Sequence, residues 1–326
     1  MLDYVNEVQV QYVKVPYARY WHGYLVILKP LLSFFSYADI RMMNMMCQMI
    51  LICSFCALLV NLFGIKYTMP FFLTLSVLNP IVTGLNFQNS TSFYCSIIPA
   101  IVMLMYYNNS KKIEKMRFFF MIIGIVTVYF DFLTYPIVSL GIPLVLCLLM
   151  MSGDKNVWII IRSELINSCY WAVGYCSMWA AKWIVASVIL RQDVIGDALS
   201  QILFRTGIEN RDIEKITIFQ CWAHVMKVMI KPAYILLFIF SILIAVLFIF
   251  LQIRKSKNKL RKVFLYILPY LIVASYPFIW WAGTKNHCIQ NSKFVYRDFC
   301  IFIFSIGCGI IRAFESGYGT LDEKDK

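Results

Sequence analysis

Arg254-Lys255-Ser256-Lys257-Asn258-Lys259-Leu260-Arg261-Lys262 is a basic stretch without an acidic residue, set between two apolar runs, Ala233 to Leu251 and Val263 to Ala282. Each run is close to the ~20 residues that a helix needs to cross a bilayer. A short loop of this kind faces the cytoplasm, and alternation then assigns a side to every other loop. The loop holding Lys111, Lys112, Lys115 and Arg117 falls on the same side, as does Lys66.

Working outward, the chain shows further apolar runs at Asn44 to Phe63, Tyr67 to Leu85, Ser92 to Tyr107, Met116 to Phe130, Tyr135 to Met151, Cys169 to Leu190 and Arg297 to Phe314. The expected fold is therefore an all-α integral membrane protein of about nine transmembrane helices with interfacial amphipathic helices. Tyr24 to Tyr37 is too interrupted to span and reads as a helix lying on the outer surface; Ser152 to Asn167 reads as its cytoplasmic counterpart. Three regions follow: an extracytoplasmic tail over 1–43, a transmembrane domain over 44–314, and an acidic, disordered cytoplasmic tail over 315–326. The expected location is the cell membrane, crossed many times.

Composition supports this. With 61% hydrophobic and 14% charged residues, a water-facing surface is hard to cover. The net charge of +13 sits mostly in the loops assigned to the cytoplasm and does not point to nucleic acid. The eleven cysteines are scattered through apolar segments and read as small buried hydrophobes, with no metal spacing and no disulfide framework. Residues 1–41 fit least well, because alternation puts them outside with Lys14, Arg19, Lys29 and Arg41 aboard. A missing upstream helix is the simplest repair.

Alternation gathers the candidate chemistry on the outer face. Asp131 lies in Tyr129-Phe130-Asp131-Phe132-Leu133-Thr134-Tyr135-Pro136, between two arms slightly short for a crossing. The turn is thus expected below the surface, where desolvation would raise the pKa of the carboxylate and suit it as a general base. The competing reading is a helix-end carboxylate in water. Lys182, between Trp179 and Trp183, is costly inside a bilayer and calls for an anionic ligand, or else snorkels between its tryptophans. Arg19, Trp21 and His22 form an aromatic, basic patch. Asp197, Gln201 and Arg205 recur at helical spacing on one face, and His287 and Arg297 flank the last outer loop. No phosphate-binding glycine loop, zinc pattern or nucleophile elbow occurs, and neither metal nor cofactor is expected.

These segments resemble uncharacterised multi-pass proteins of Gram-positive bacteria that are similar to C-type (GT-C) glycosyltransferases. The resemblance lies in Tyr17-Ala18-Arg19-Tyr20-Trp21-His22-Gly23-Tyr24 with Lys29-Pro30-Leu31-Leu32, in Asp131 to Pro136, Met178 to Trp183, Asp197 to Arg205, and His287 to Arg297. It implies a sugar donor carried on a polyprenyl phosphate, used at the extracytoplasmic face, with acids in the first outer loop. The chain departs from that plan: Asp3 and Glu7 are its only early acids, and Asn291 stands where a second histidine is expected.

The expected function is transfer of a sugar from a polyprenyl-phosphate donor to a cell-envelope glycan acceptor. Asp131 would take the acceptor proton, and Arg19, Lys182, Arg205 and Arg297 would hold the phosphate. Trp21, His22, Gln201 and His287 would complete the binding set. The alternatives are a transporter or flippase of a lipid-linked saccharide, a catalytically inactive truncated homologue and, on Trp21-His22 alone, an acyltransferase.

Overall fold

The computed structural model describes residues 17–110, 116–131, 133–151, 156–209, 215–229 and 257–322. Among these residues every regular element is helical. Asp3, Glu7 and the run Ala233 to Leu251 lie outside them.

A short surface helix, α1 (Tyr24–Leu32), buries none of its side chains, as an interfacial helix would. Next comes α2 (Tyr37–Phe63), which begins seven residues before the expected Asn44. Its start is set by a capping box: the Ser36 hydroxyl accepts from the Asp39 N–H while the Asp39 carboxylate accepts from the Ser36 N–H. The run Tyr67 to Leu85, expected as one helix, is two: α3 (Ile65–Leu78) and α4 (Pro80–Gly84). Pro80 pushes the preceding residue out of helical geometry, and Asn79 takes the left-handed conformation at φ +50°.

A single turn of 3-10 helix, Gln88–Ser90, leads into α5 (Thr91–Ser110), followed by α6 (Met116–Phe130) and α7 (Val138–Met151). The next helix corrects the expectation of a separate cytoplasmic surface helix. Residues 157–190 form one continuous helix, α8 (Val157–Leu190), of 34 residues, about 51 Å long. Nothing between Asn167 and Cys169 breaks it, because Arg162 and Glu164 are good helix formers and no Gly or Pro intervenes. After it come α9 (Val194–Thr206), α10 (Ile218–Lys227), α11 (Lys257–Gly283), α12 (Lys285–Gln290), α13 (Ser292–Val295), a 3-10 turn Tyr296–Asp298 and α14 (Phe299–Asp322). The tail expected to be disordered from 315 is helical through Asp322.

Among the described residues, five stretches are long and apolar enough to cross a membrane: Tyr37–Phe63, Gln88–Ser110, Val157–Leu190, Phe264–Gly283 and Ser292–Glu315. Helices α3, α6 and α7, of 14 or 15 residues, reach only about 21–23 Å. The shortness of α7 has a structural reason. All its residues are buried, with α5, α6, α8, α11 and α14 packed against it, so it is enclosed by protein and has no lipid thickness to match. Conversely, α2 exposes Met42, Met46 and Ile50, and α8 exposes Val173, Val188 and Ile189, the apolar outer faces that lipid would cover.

Helices α6 and α8 touch backbone to backbone. A Cβ added to Gly124 would lie 2.2 Å from the Trp171 carbonyl oxygen, and one added to Gly174 would lie 2.1 Å from that of Met121. Small residues at a crossing are how membrane helices gain close packing. Lys66 meets Glu315 at one end, and Arg117 and Arg162 line one groove. At the opposite end, the turn after α6 meets α12 where a His287 ring nitrogen bonds the Leu133 carbonyl.

Candidate functional site

At that opposite end lies a cavity of about 480 Å³, walled by Tyr175, Trp179 and Trp183 of α8, Gln201 and Arg205 of α9, and Trp280 of α11. Tyr175, Trp179 and Trp183 recur every four residues, so one helix face supplies an aromatic wall. Arg19, Tyr20 and Leu133 complete the lining.

Residues 17–23 lie across this wall as a strap. The Trp21 indole donates to the Met178 carbonyl (3.0 Å), the Trp183 indole donates to the Arg19 carbonyl (3.2 Å), and the Gly23 N–H donates to the Tyr129 carbonyl (2.9 Å). Gly23 is required there, since a Cβ would stand 2.3 Å from the Tyr129 oxygen. Inside the strap Arg19 is buried and pairs with Asp197 at 2.8 Å. His22 turns its Nδ1 toward the Tyr20 carbonyl, and burial, with Lys182 nearby, holds its pKa below the usual imidazole value. The Lys182 ammonium sits 5.0 Å from the centre of the Trp21 ring, a cation–π contact outside the cavity lining.

Arg205 is the central cation. One of its nitrogens donates to the Tyr20 hydroxyl (2.8 Å) and another meets His287 Nδ1. His287 Nε2 lies 2.8 Å from the Leu133 carbonyl, which can only accept, so the ring proton is on Nε2 and bare Nδ1 accepts from Arg205. Burial first, and Arg205 second, drive the His287 pKa down to about 3, so this imidazole is neutral. The guanidinium thus faces a neutral ring and a phenol; no carboxylate pairs with it among the described residues. Its Nε and the Trp280 Nε1, both from cavity-lining residues, are buried donors that meet no acceptor in the described protein.

Asp131 is buried as expected, but its carboxylate is committed to its own turn. It accepts from the Ser92 hydroxyl (2.6 Å), the Thr134 N–H (3.0 Å) and the Thr134 hydroxyl. This cage holds Leu133 in the left-handed region, at φ +59°, with its carbonyl toward His287. Asp131 is absent from the cavity lining, and so is every other carboxylate among the described residues.

Arg297 is also placed apart. Its Nε donates to the Leu78 carbonyl (3.1 Å), another nitrogen donates to the Lys293 carbonyl (2.9 Å), and the group stacks over Tyr135 and Tyr296. It satisfies the carbonyl at the end of α3 and is bound up in the fold.

Of the candidate residues, then, the cavity gathers Arg19, Gln201 and Arg205, with His287 directly behind. Trp21, His22 and Lys182 form the outer side of the strap, and Asp131 and Arg297 serve neighbouring turns. Sequence reasoning missed Tyr20, Tyr175 and Trp280. The first two carried a signal, an aromatic beside Arg19 and an aromatic stripe at helical spacing, whereas Trp280 gave none. No group of three or more metal-ligating side chains occurs among the described residues. No protein-family model matches the chain, and neither a curated protein nor a solved structure is detectably similar to it.

Proposed function

We propose that this chain crosses the cell membrane nine times, counting the run Ala233 to Leu251, and takes a polyprenyl-phosphate-linked sugar into the cavity at its extracytoplasmic end, transferring the sugar to a cell-envelope glycan. The observation that supports this is the pair of donors without acceptors, Arg205 Nε and Trp280 Nε1, on the lining of an aromatic, apolar cavity. A half-buried cation with no counter-ion among the described residues favours an anion, and the apolar walls favour an anion attached to hydrocarbon. A phosphate on an isoprenoid chain meets both demands. In this reading Arg205 holds the phosphate with Arg19 beside it, Gln201 and Trp280 bond sugar or phosphate oxygens, and Lys182 steers the anion from the strap's outer side. Arg297 orders the adjoining turn. Asp131 is the proton acceptor, which requires its carboxylate to leave the Ser92–Thr134 cage.

A second reading is favoured by the lining itself, which holds no carboxylate: the cavity would carry a lipid-linked saccharide without making or breaking a bond. Proteoliposomes given a radiolabelled short-chain polyprenyl-phosphate sugar and a glycan acceptor separate the two. Label appearing in the glycan supports transfer. Label crossing the bilayer on intact lipid supports carriage, and neither, with no binding, removes the lipid-phosphate reading.

A further inference from the structure

A second buried site lies near the groove lined by Arg117 and Arg162. Glu164 on α8 is 1% exposed, and neither carboxylate oxygen has a hydrogen-bond partner among the described residues. It is about 16 Å along the helix from Tyr175 of the aromatic cavity, so it belongs to a different site. The Tyr270 hydroxyl on α11, itself buried, likewise meets no partner. The titratable groups that face Glu164 are Cys147 from α7 and Tyr270 and Tyr276 from α11; on its own helix Ser168 bonds the Glu164 carbonyl and the Tyr276 hydroxyl, each at 2.8 Å. Cys308 and Arg312 of α14 face Tyr270 instead. No cation pairs with Glu164 among the described residues.

A bare carboxylate in such a place carries a desolvation penalty that nothing nearby offsets. Two ligands would remove it. A hard metal cation takes about six oxygens, and the side-chain oxygens without a partner described there are only Glu164's own pair and the Tyr270 hydroxyl. A proton needs one oxygen. It cancels the charge and turns an acceptor-only group into one that can also donate.

We propose that Glu164 is a proton-binding site within the membrane part of the molecule, taking its proton from solvent and releasing it there, with no other bond changed. The inference stands apart from the lipid-phosphate reading. Ionisable groups inside membrane helices are where proton-linked steps reside, and this one has no structural partner to hold.

Infrared spectroscopy of the protein in lipid tests it. At neutral pH the wild type is expected to show the carbonyl stretch of a neutral carboxylic acid, and Glu164→Gln is expected to lose it. Protein made by cell-free synthesis with carbon-13 carboxyl-labelled glutamate covers the case in which the variant does not fold. The band must then shift if it belongs to a glutamate, and stays in place if it belongs to the buried Asp298. A spectrum showing only carboxylate bands at neutral pH overturns the proposal. So does an acid band that ignores the glutamate label, or a glutamate carboxylate band that moves on replacing choline by sodium.

Discussion

Arg205 carries the sharpest expectation at the scale of single residues. Removing its charge with Arg205→Met, which keeps a long apolar stem, should weaken binding of a short-chain polyprenyl phosphate by about 10- to 100-fold, since hydrogen bonds to charged groups contribute about 1.5–3 kcal/mol. Arg205→Lys should fall between, because a point charge replaces a planar fork. Quenching of the cavity tryptophans Trp179, Trp183 and Trp280 reports the Kd, and an unchanged value in the Met variant removes the phosphate site. His287 makes a prediction about acid. Its ring stays neutral in the folded protein down to about pH 3, while the unfolded chain takes up the proton near the ordinary 6.5. Between those values the unfolded state binds more protons, so stability should fall as pH drops below about 6.5. In His287→Asn that part of the acid sensitivity should vanish, measured as Tm against pH; an identical profile in both proteins rejects the assignment. At this scale the sequence was legible where charge is rare. Gln201 and Arg205 stood out as a polar face among apolar residues, and Arg19 as a cation within an aromatic patch. The Ser92 side of the Asp131 cage was not legible, because Ser92 lies 39 residues away and nothing local announces that contact.

At the scale of elements, the α6–α8 crossing gives a contrast between two glycines. Gly174→Leu places a side chain against the Met121 carbonyl and should separate the helices. A loss of about 1–3 kcal/mol or more is expected, read as a lower Tm and lower yield of folded protein. Gly283, whose Cβ would meet nothing within 4 Å, should accept Ala with little change. Equal effects of the two changes would mean that the crossing is not held by close packing. Helix existence was readable from apolar runs, which supply the periodicity, but ends and breaks were not. Pro80 was visible, yet prolines at 70, 99, 143, 269 and 277 sit inside helices, so a proline alone does not mark a break. The charged residues Arg162 and Glu164 suggested a surface helix separate from the spanning one. Instead Arg162 lines an open groove and Glu164 is buried, both on one continuous element, a tertiary fact that hydropathy cannot carry.

For the whole molecule, sidedness is the expectation on which the outer-face reading depends. In a cysteine-depleted background, Lys66→Cys should react with an impermeant maleimide only after the membrane is opened, and Ile208→Cys should react from outside. The reverse pattern would put the aromatic cavity in the cytoplasm. That Lys66 and Glu315 share an end was legible from alternation, and the two do meet. The cavity was not, because its walls come from segments far apart in the chain. Arg19 reaches Asp197 across 178 residues, Tyr20 meets Arg205 across 185, and His287 joins Leu133 across 154. Those separations bear on how the protein is made. A chain still emerging from the ribosome can build the α6–α8 pair as soon as residue 190 is in place, yet its aromatic cavity lacks a wall until α11 arrives. Closing loops of that length is slow, and a ligand that fits only the finished chamber draws the last step forward by mass action. Supplying the lipid during synthesis should therefore raise the yield of full-length folded protein while leaving truncated chains untouched.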